Sequence, residues 1–277
     1  MKVTGEIREL VASRELLVSL IQRELRGKYK GTALGWAWSL INPLASTLIY
    51  TLVFSTVMRV LPPVGDGGIE NYSLFLLCGL LPWNFLLTAV QGGQSVLIDQ
   101  ANLIKKTYFP RRLLLLAHIG ASFVTYVIEM LVLVVIFAAV GVNAWRWIPI
   151  VAVLMVVMAI FGLGLALALS VANVYFRDVA HFVGIGMQLW FYATPIIYPF
   201  TLITEASPDS WLSSPWLIEA YQLNPAFTMI EPVRDMFYMG QWPDLQTIML
   251  GLAWAVLALV VGNLIFRRLE PRLAEEL

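Results

Sequence analysis

Charge is scarce in this chain. Of its 277 residues only 13% are Asp, Glu, Lys or Arg, about half the roughly 25% of a soluble globular protein. A large water-facing surface is therefore excluded. Cysteine is reduced to Cys78, so no disulfide forms within one chain and the redox compartment stays open. Histidine occurs only at 118 and 181, far apart and away from any Cys cluster, which leaves no zinc-type ligand set. No GxxxxGK[ST] loop is present, so hydrolysis of ATP by this chain itself is not expected. The first 36 residues carry four acids and seven bases and lack a clean apolar core, unlike a secretory leader. The formal net charge of zero is silent about partners.

What remains is apolar. Hydrophobic residues make up 59% of the chain, with ten Trp, ten Tyr and fourteen Phe. Six runs approach or exceed the ~20 residues that cross a ~30 Å hydrocarbon core at ~1.5 Å per residue. They are Trp36–Val57, Tyr72–Val90, Leu113–Val140, Ile148–Val171, Phe182–Phe200 and Leu245–Phe266. Backbone groups in lipid must be satisfied within the segment, so the runs are read as helices. The expected fold is an all-α membrane protein with six transmembrane helices, one membrane domain over 36–277 following an interface region over 1–35. Pro82 and Pro195 predict kinks, and the freed carbonyls call for neighbours, which places spans two and five inside the bundle.

The bases orient the chain. With both ends inside, the inner segments hold fifteen Lys or Arg and the outer ones only Arg59, Arg146 and Arg234. The positive-inside rule then puts both termini in the cytoplasm. Trp36, Trp83, Trp145, Trp147 and Trp242 fall near the predicted interfaces, as an aromatic belt does.

Two charged segments stand out. Leu16, Leu17, Leu20, Ile21 and Leu25 recur at helical spacing, with Arg14, Arg23, Arg26 and Lys30 largely elsewhere on the wheel. This predicts an amphipathic helix over Ser13–Tyr29, capped by Ser13. It either lies in the membrane interface or docks on its own protein. The loop Leu97–Arg112 is short, polar and basic between two greasy runs. It reads as a cytoplasmic loop through which something outside the membrane pushes on the membrane part. Ala101–Tyr108 predicts a short helix carrying Leu103, Ile104 and Tyr108. Apolar residues on an exposed helix suit docking into a groove. Lys105, Lys106, Arg111 and Arg112 fit an acidic partner surface, anionic lipid or a plain topology signal.

The stretch Thr201–Asp244 is long for an unstructured loop and rich in apolar residues. It reads as two short helices, one near Ser214–Tyr221 and one over Pro225–Tyr238, the latter capped by Asn224. They either dip into the outer leaflet and return or lie flat as a lid. Glu129, near the middle of span three, lines a polar path or ties two helices together as a neutral acid. Arg177 and Asp178 pair with each other, pair across a dimer or are solvated. Tyr50, Phe54, Trp190 and Tyr192 are candidates for a channel wall, because aromatic faces stack on sugar rings without fixed hydrogen bonds. Ordinary helix packing is the competing reading for each.

Several stretches together resemble a known family. They are RELRGKYKGTALGWAWSLINPL at Arg23–Leu44, ANLIKKTYFPR at Ala101–Arg111, NVYFRD at Asn173–Asp178, TPIIYP at Thr194–Pro199 and LNP at Leu223–Pro225. Their order and spacing, over nearly the whole chain, resemble the membrane subunits of ABC-2-type exporters, in particular the O-antigen polysaccharide permeases and their teichoic-acid relatives. The resemblance implies a bacterial inner-membrane permease that binds no cofactor itself. ATP and Mg would be held by two copies of a separate nucleotide-binding subunit. A second copy of the chain would complete one channel for a polysaccharide on an undecaprenyl pyrophosphate carrier, or for another lipid-linked glycan. Membrane lipid is a further partner and nucleic acid is not. The N-terminal helix would rest at the cytoplasmic interface. Asn102, Leu103, Lys105, Lys106 and Tyr108 would form a coupling helix, and Ser214–Gly240 would form paired, re-entrant periplasmic gate helices. Arg23, Arg26, Lys28 and Lys30 are candidates to meet the lipid pyrophosphate, Arg by its fork and Lys as a point charge.

Overall fold

A computed structural model of the chain describes residues 13–29, 31, 34–57, 59, 62–106, 110–204 and 214–276. Among these residues the regular structure is helical. In chain order the helices are α1 (Arg14–Tyr29), α2 (Trp38–Tyr50, continued by π-type turns over Thr51–Val57), α3 (Tyr72–Asp99), α4 (Ala101–Lys106), α5 (Arg112–Val140) and α6 (Ile148–Tyr175). They are followed by α7 (Val179–Tyr192), α8 (Thr201–Thr204), α9 (Pro215–Leu223), α10 (Pro225–Phe237), α11 (Leu245–Leu269) and α12 (Leu273–Glu276).

Among the described residues five helical segments are long and apolar enough to cross a membrane: Trp38–Val57, α3, α5, Ala144–Tyr175 and α11. The chain is thus an all-α, multi-pass membrane protein. The fifth predicted span, Phe182–Phe200, differs from expectation. Its helix, α7, has 14 residues, about 21 Å at 1.5 Å per residue, which falls short of ~30 Å. Pro195 explains the stop, since it disfavours the helical conformation of the residue before it. The chain turns at Thr194, whose Oγ1 donates to the Trp190 carbonyl at 2.8 Å. Tyr72 Oη then donates to the Ile197 carbonyl beyond the break.

α3 is the central helix. It packs on α5, α6, α7 and α10, with Leu76, Leu86, Ala89 and Leu97 fully enclosed. It runs unbroken through Pro82 and past the predicted end at Val90 to Asp99. Asn71 starts it, its Oδ1 accepting from the Ser73 and Leu74 amides at 3.0 and 3.3 Å. Span two therefore lies inside the bundle, as its proline requires. Span five does not: α7 leaves Phe182, Ile185 and Leu189 exposed. Its freed carbonyls lie in one corner after the helix and are met there.

α6 and α11 touch backbone to backbone. A methyl group on Gly262 would sit 2.0 Å from the Gly164 carbonyl oxygen, and one on Gly164 2.3 Å from the Ala258 carbonyl carbon. Small residues permit such approach where helix association has no hydrophobic drive from lipid. α5 closes at Gly141, whose φ of 92° is the left-handed end that glycine adopts without penalty.

α1 packs along α5. Leu20 is buried, and Leu17 and Ile21 pack partly buried beside it, so much of the apolar stripe is spent on the protein itself. Leu16 and Val18 stay exposed. At this end the chain gathers its bases. Arg23 donates to Gln100 Oε1 at 3.0 Å, Arg111 to the Glu270 carbonyl, and Tyr175 to the Leu269 carbonyl at 3.3 Å. At the far end Tyr238 Oη donates to the Pro63 and Ile69 carbonyls at 3.0 and 3.1 Å. Arg146 pairs there with Asp66 at 3.2 Å, and Trp147 meets Trp242 edge-on at 5.1 Å.

Candidate functional site

At the basic end α4 follows α3 after the single residue Gln100, whose carbonyl accepts from the Leu103 and Ile104 amides at 2.9 and 3.0 Å. This tight corner folds α4 against the bundle. Ile104 is buried and Leu103 packs partly buried on the core, whereas Asn102, Lys105 and Lys106 are exposed. The expected apolar docking face is thus turned inward, and the free face is polar and basic. Tyr108 lies outside the described residues, as does Lys30. Arg26 and Lys28 are exposed on α1.

Between α1, α3 and α5 lies a recess of about 280 Å³, lined by Glu24, Gly27, Lys28, Thr88, His118, Ala121 and Ser122. His118 organises it. Nε2 donates to the Thr88 carbonyl at 3.1 Å, and Nδ1 faces Glu24 Oε1 at 3.5 Å. The ring fills the space above Gly92, where an added methyl would sit 2.4 Å from Cε1. The hydrogen bond to His118 holds the Glu24 carboxyl below its usual range, against the opposing effect of burial. Sequence reasoning passed over His118 because it looked only for metal ligands. The signal was the Gly92-Gly93 pair, a slot in an otherwise bulky span.

The four wall candidates form parts of one aromatic cluster. Tyr50 lies 6.2 Å from Phe191, Phe54 stacks on Tyr72 at 6.2 Å, and Tyr192 meets Phe191 edge-on at 5.2 Å. Tyr192 is exposed, and Tyr50 and Phe54 are half-buried. Trp190 is turned inward against Trp83 and Phe161, with Nε1 donating to Asn224 Oδ1 at 2.8 Å. The same Asn224 oxygen caps α10 by accepting from the Ala226 amide at 3.0 Å. Glu129 is buried and borders a small apolar recess with Pro43, Leu44, Leu77 and Leu81. Arg177 and Asp178 are exposed in the turn between α6 and α7.

Arg234 was counted in the sequence only as an outer base, yet it is the largest fully buried side chain among the described residues, 2% exposed. Nη1 donates to the Pro195 carbonyl at 2.9 Å and to Glu231 Oε2 at 2.8 Å, and Nη2 to the Ile196 carbonyl at 3.0 Å. Its guanidinium carbon stands 4.0 Å from the Phe75 ring centroid. It thereby satisfies carbonyls left by the break after α7. Beside it, burial and the neighbouring Glu231 push the Asp235 carboxyl up to about 6. The Glu231–Arg234 spacing, one helical turn within an apolar segment, was the legible signal.

Among the described residues no three His, Cys, Asp or Glu side chains group as a metal site. The fold and the two ends define a multi-pass helical membrane protein with a basic face at one end and a clasped corner at the other. Residues 15–238 match the family model described as ABC-2 type transporter, and the chain belongs to that family. Family membership makes it a transport permease. It is 32% identical over 271 residues, 98% of each chain, to the O-antigen export system permease protein RfbA of Myxococcus xanthus. It is 34% identical over 265 residues, 94% of each chain, to a protein of the same name from Klebsiella pneumoniae.

Proposed function

We propose that this chain is the membrane subunit of an ATP-driven exporter that moves O-antigen polysaccharide, carried on undecaprenyl pyrophosphate, across the bacterial inner membrane. The end-to-end similarity to proteins named as O-antigen export permeases carries this reading. In it the basic end faces the cytoplasm and both termini lie on that side, a reading that the distribution of Lys and Arg supports. Two copies of a separate ATPase subunit dock on α4 and α1 and bind ATP and Mg. The exposed Asn102, Lys105 and Lys106 form the contact, and Leu103 and Ile104 transmit the push because they are seated on the bundle. α7 and the turned segment through Phe200 together complete a sixth crossing. α9 and α10 are short helices returning to the outer surface, and α1 lies at the inner interface.

Two copies of the chain complete the channel. Arg23, Arg26 and Lys28 meet the lipid pyrophosphate at the inner side, and sugars pass Tyr50, Phe54 and Tyr192. A reconstituted pair of subunits tests the reading. With Lys105→Glu and Lys106→Glu together, ATP turnover is expected to persist while glycolipid export falls by about tenfold, the equivalent of one lost charge-assisted contact. Failure of any ATPase to co-purify, together with export surviving deletion of Ala101–Lys106, would overturn it.

A further inference from the structure

Three elements meet on Arg234. α3 contributes the Phe75 ring and the bare backbone of Gly79, where a methyl would lie 2.6 Å from Nη2. The segment after α7 contributes the Pro195 and Ile196 carbonyls, and α10 contributes Glu231. α3 is also the helix that runs unbroken for 28 residues to the basic end, where one residue separates it from α4. A displacement of α4 that carries α3 with it would therefore reach the guanidinium.

The guanidinium absorbs little of it. Its donors sit in a rigid planar fork, and hydrogen bonds weaken steeply once length or angle departs from the optimum. Gly79 leaves no room on the α3 side. The contacts hold both Nη atoms at once, Nη1 on Pro195 and Glu231 and Nη2 on Ile196. A group that ties three separate segments through one rigid fork suits a joint between them.

We propose that Arg234 is a positioning residue for export, a clasp that holds the outer corner of α7 and α10 to α3 at rest and releases it when α3 moves. Its link to ATP rests on the reading that α4 receives the push. The clasp itself rests on the contacts of Arg234.

The full exporter, permease with its ATPase subunit, reconstituted around a trapped fluorescent dye, tests it through three readouts: ATP turnover, glycolipid export and dye leak without ATP. Arg234→Lys keeps the charge but not the fork, and Phe75→Leu removes the ring while leaving the carbonyl bonds. Arg234→Lys is expected to raise ATP-independent leak about tenfold, the population shift of one net hydrogen bond, with ATP turnover within about twofold. Phe75→Leu is expected to act in the same direction by less, and it carries the test if Arg234→Lys does not fold. A bilayer as tight as wild type in either folded, ATPase-bound variant, or a loss of thermal stability without added leak, would overturn the clasp. A leaky Arg234→Lys beside a fully coupled Lys105→Glu/Lys106→Glu would instead keep the clasp and discard α4 as its driver.

Discussion

At the scale of single residues, the junction between α1 and the bundle adds an ion-pairing contact to its apolar packing, and the pH dependence of that contact follows from Glu24. Its folded carboxyl is lowered from an ordinary 4.5, chiefly by the hydrogen bond to His118. A carboxyl with a lowered folded pKa contributes stability that is fully present above its unfolded value and is lost as pH falls through the folded one. Docking of α1 is therefore expected to weaken below about pH 4.5. Glu24→Gln should abolish that dependence and loosen α1 already at neutral pH. Hydrogen exchange of the α1 amides across a pH series is the check, and identical profiles for both proteins would refute it. Sequence pattern found Glu129 and Arg234 unequally. A lone acid in mid-span draws attention by its cost alone, whereas Arg234 becomes significant only through carbonyls exposed by a break 38 residues earlier in the chain. The Glu231–Arg234 spacing marks the pair, but no periodicity encodes the carbonyls that it meets.

At the scale of elements, run length carried most of what could be read. The helices of spans one, two, three, four and six appear where apolar stretches reach crossing length. Span five misled because hydropathy continues to Phe200 while the helix stops at Tyr192; transfer free energy ignores the backbone restriction that Pro195 imposes. α3 misled in the other direction. Its apolar run ends near Val90, but Gly93 seats against Ala166 and Val96 and Leu97 are buried, so tertiary packing carries the helix on. The α6–α11 crossing gives the prediction at this scale. Gly262→Ala forces a methyl to 2.0 Å from a main-chain oxygen, which no side-chain rotation relieves. Separation of the two helices is expected to cost about 1–3 kcal/mol or more. Gly184→Ala on α7, with nothing within 4 Å, is expected to be neutral or to gain up to about 1 kcal/mol of helix propensity. Unfolding of both in the same detergent compares them, and equal stabilities would contradict backbone contact at the crossing.

At the scale of the whole molecule, the uncovered faces are not alike. The exposed middle of α11 is aliphatic: Leu252, Val256, Leu257, Val260, Val261 and Leu264. That face suits lipid tails. The edge formed by α2 and α7 is equally uncovered, with Leu48, Leu52, Ile185 and Leu189 exposed, yet it also exposes Asn42, Ser55, Thr56, Gln188 and Tyr192. Polar side chains at membrane depth face protein or water and not hydrocarbon. The α2–α7 edge is therefore the side on which a second copy and the polar path between copies are expected. A cysteine at Leu48 or Gln188 should be joined to its counterpart by a bifunctional thiol reagent in native membranes. The natural Cys78 is buried and should contribute no background. A cysteine at Val256 should stay monomeric on the same gel. Cross-linking at Val256 with none at Leu48 or Gln188 would put the paired surface on α11, and the aromatic cluster of Tyr50, Phe54 and Tyr192 would then lie against lipid with no sugar to meet.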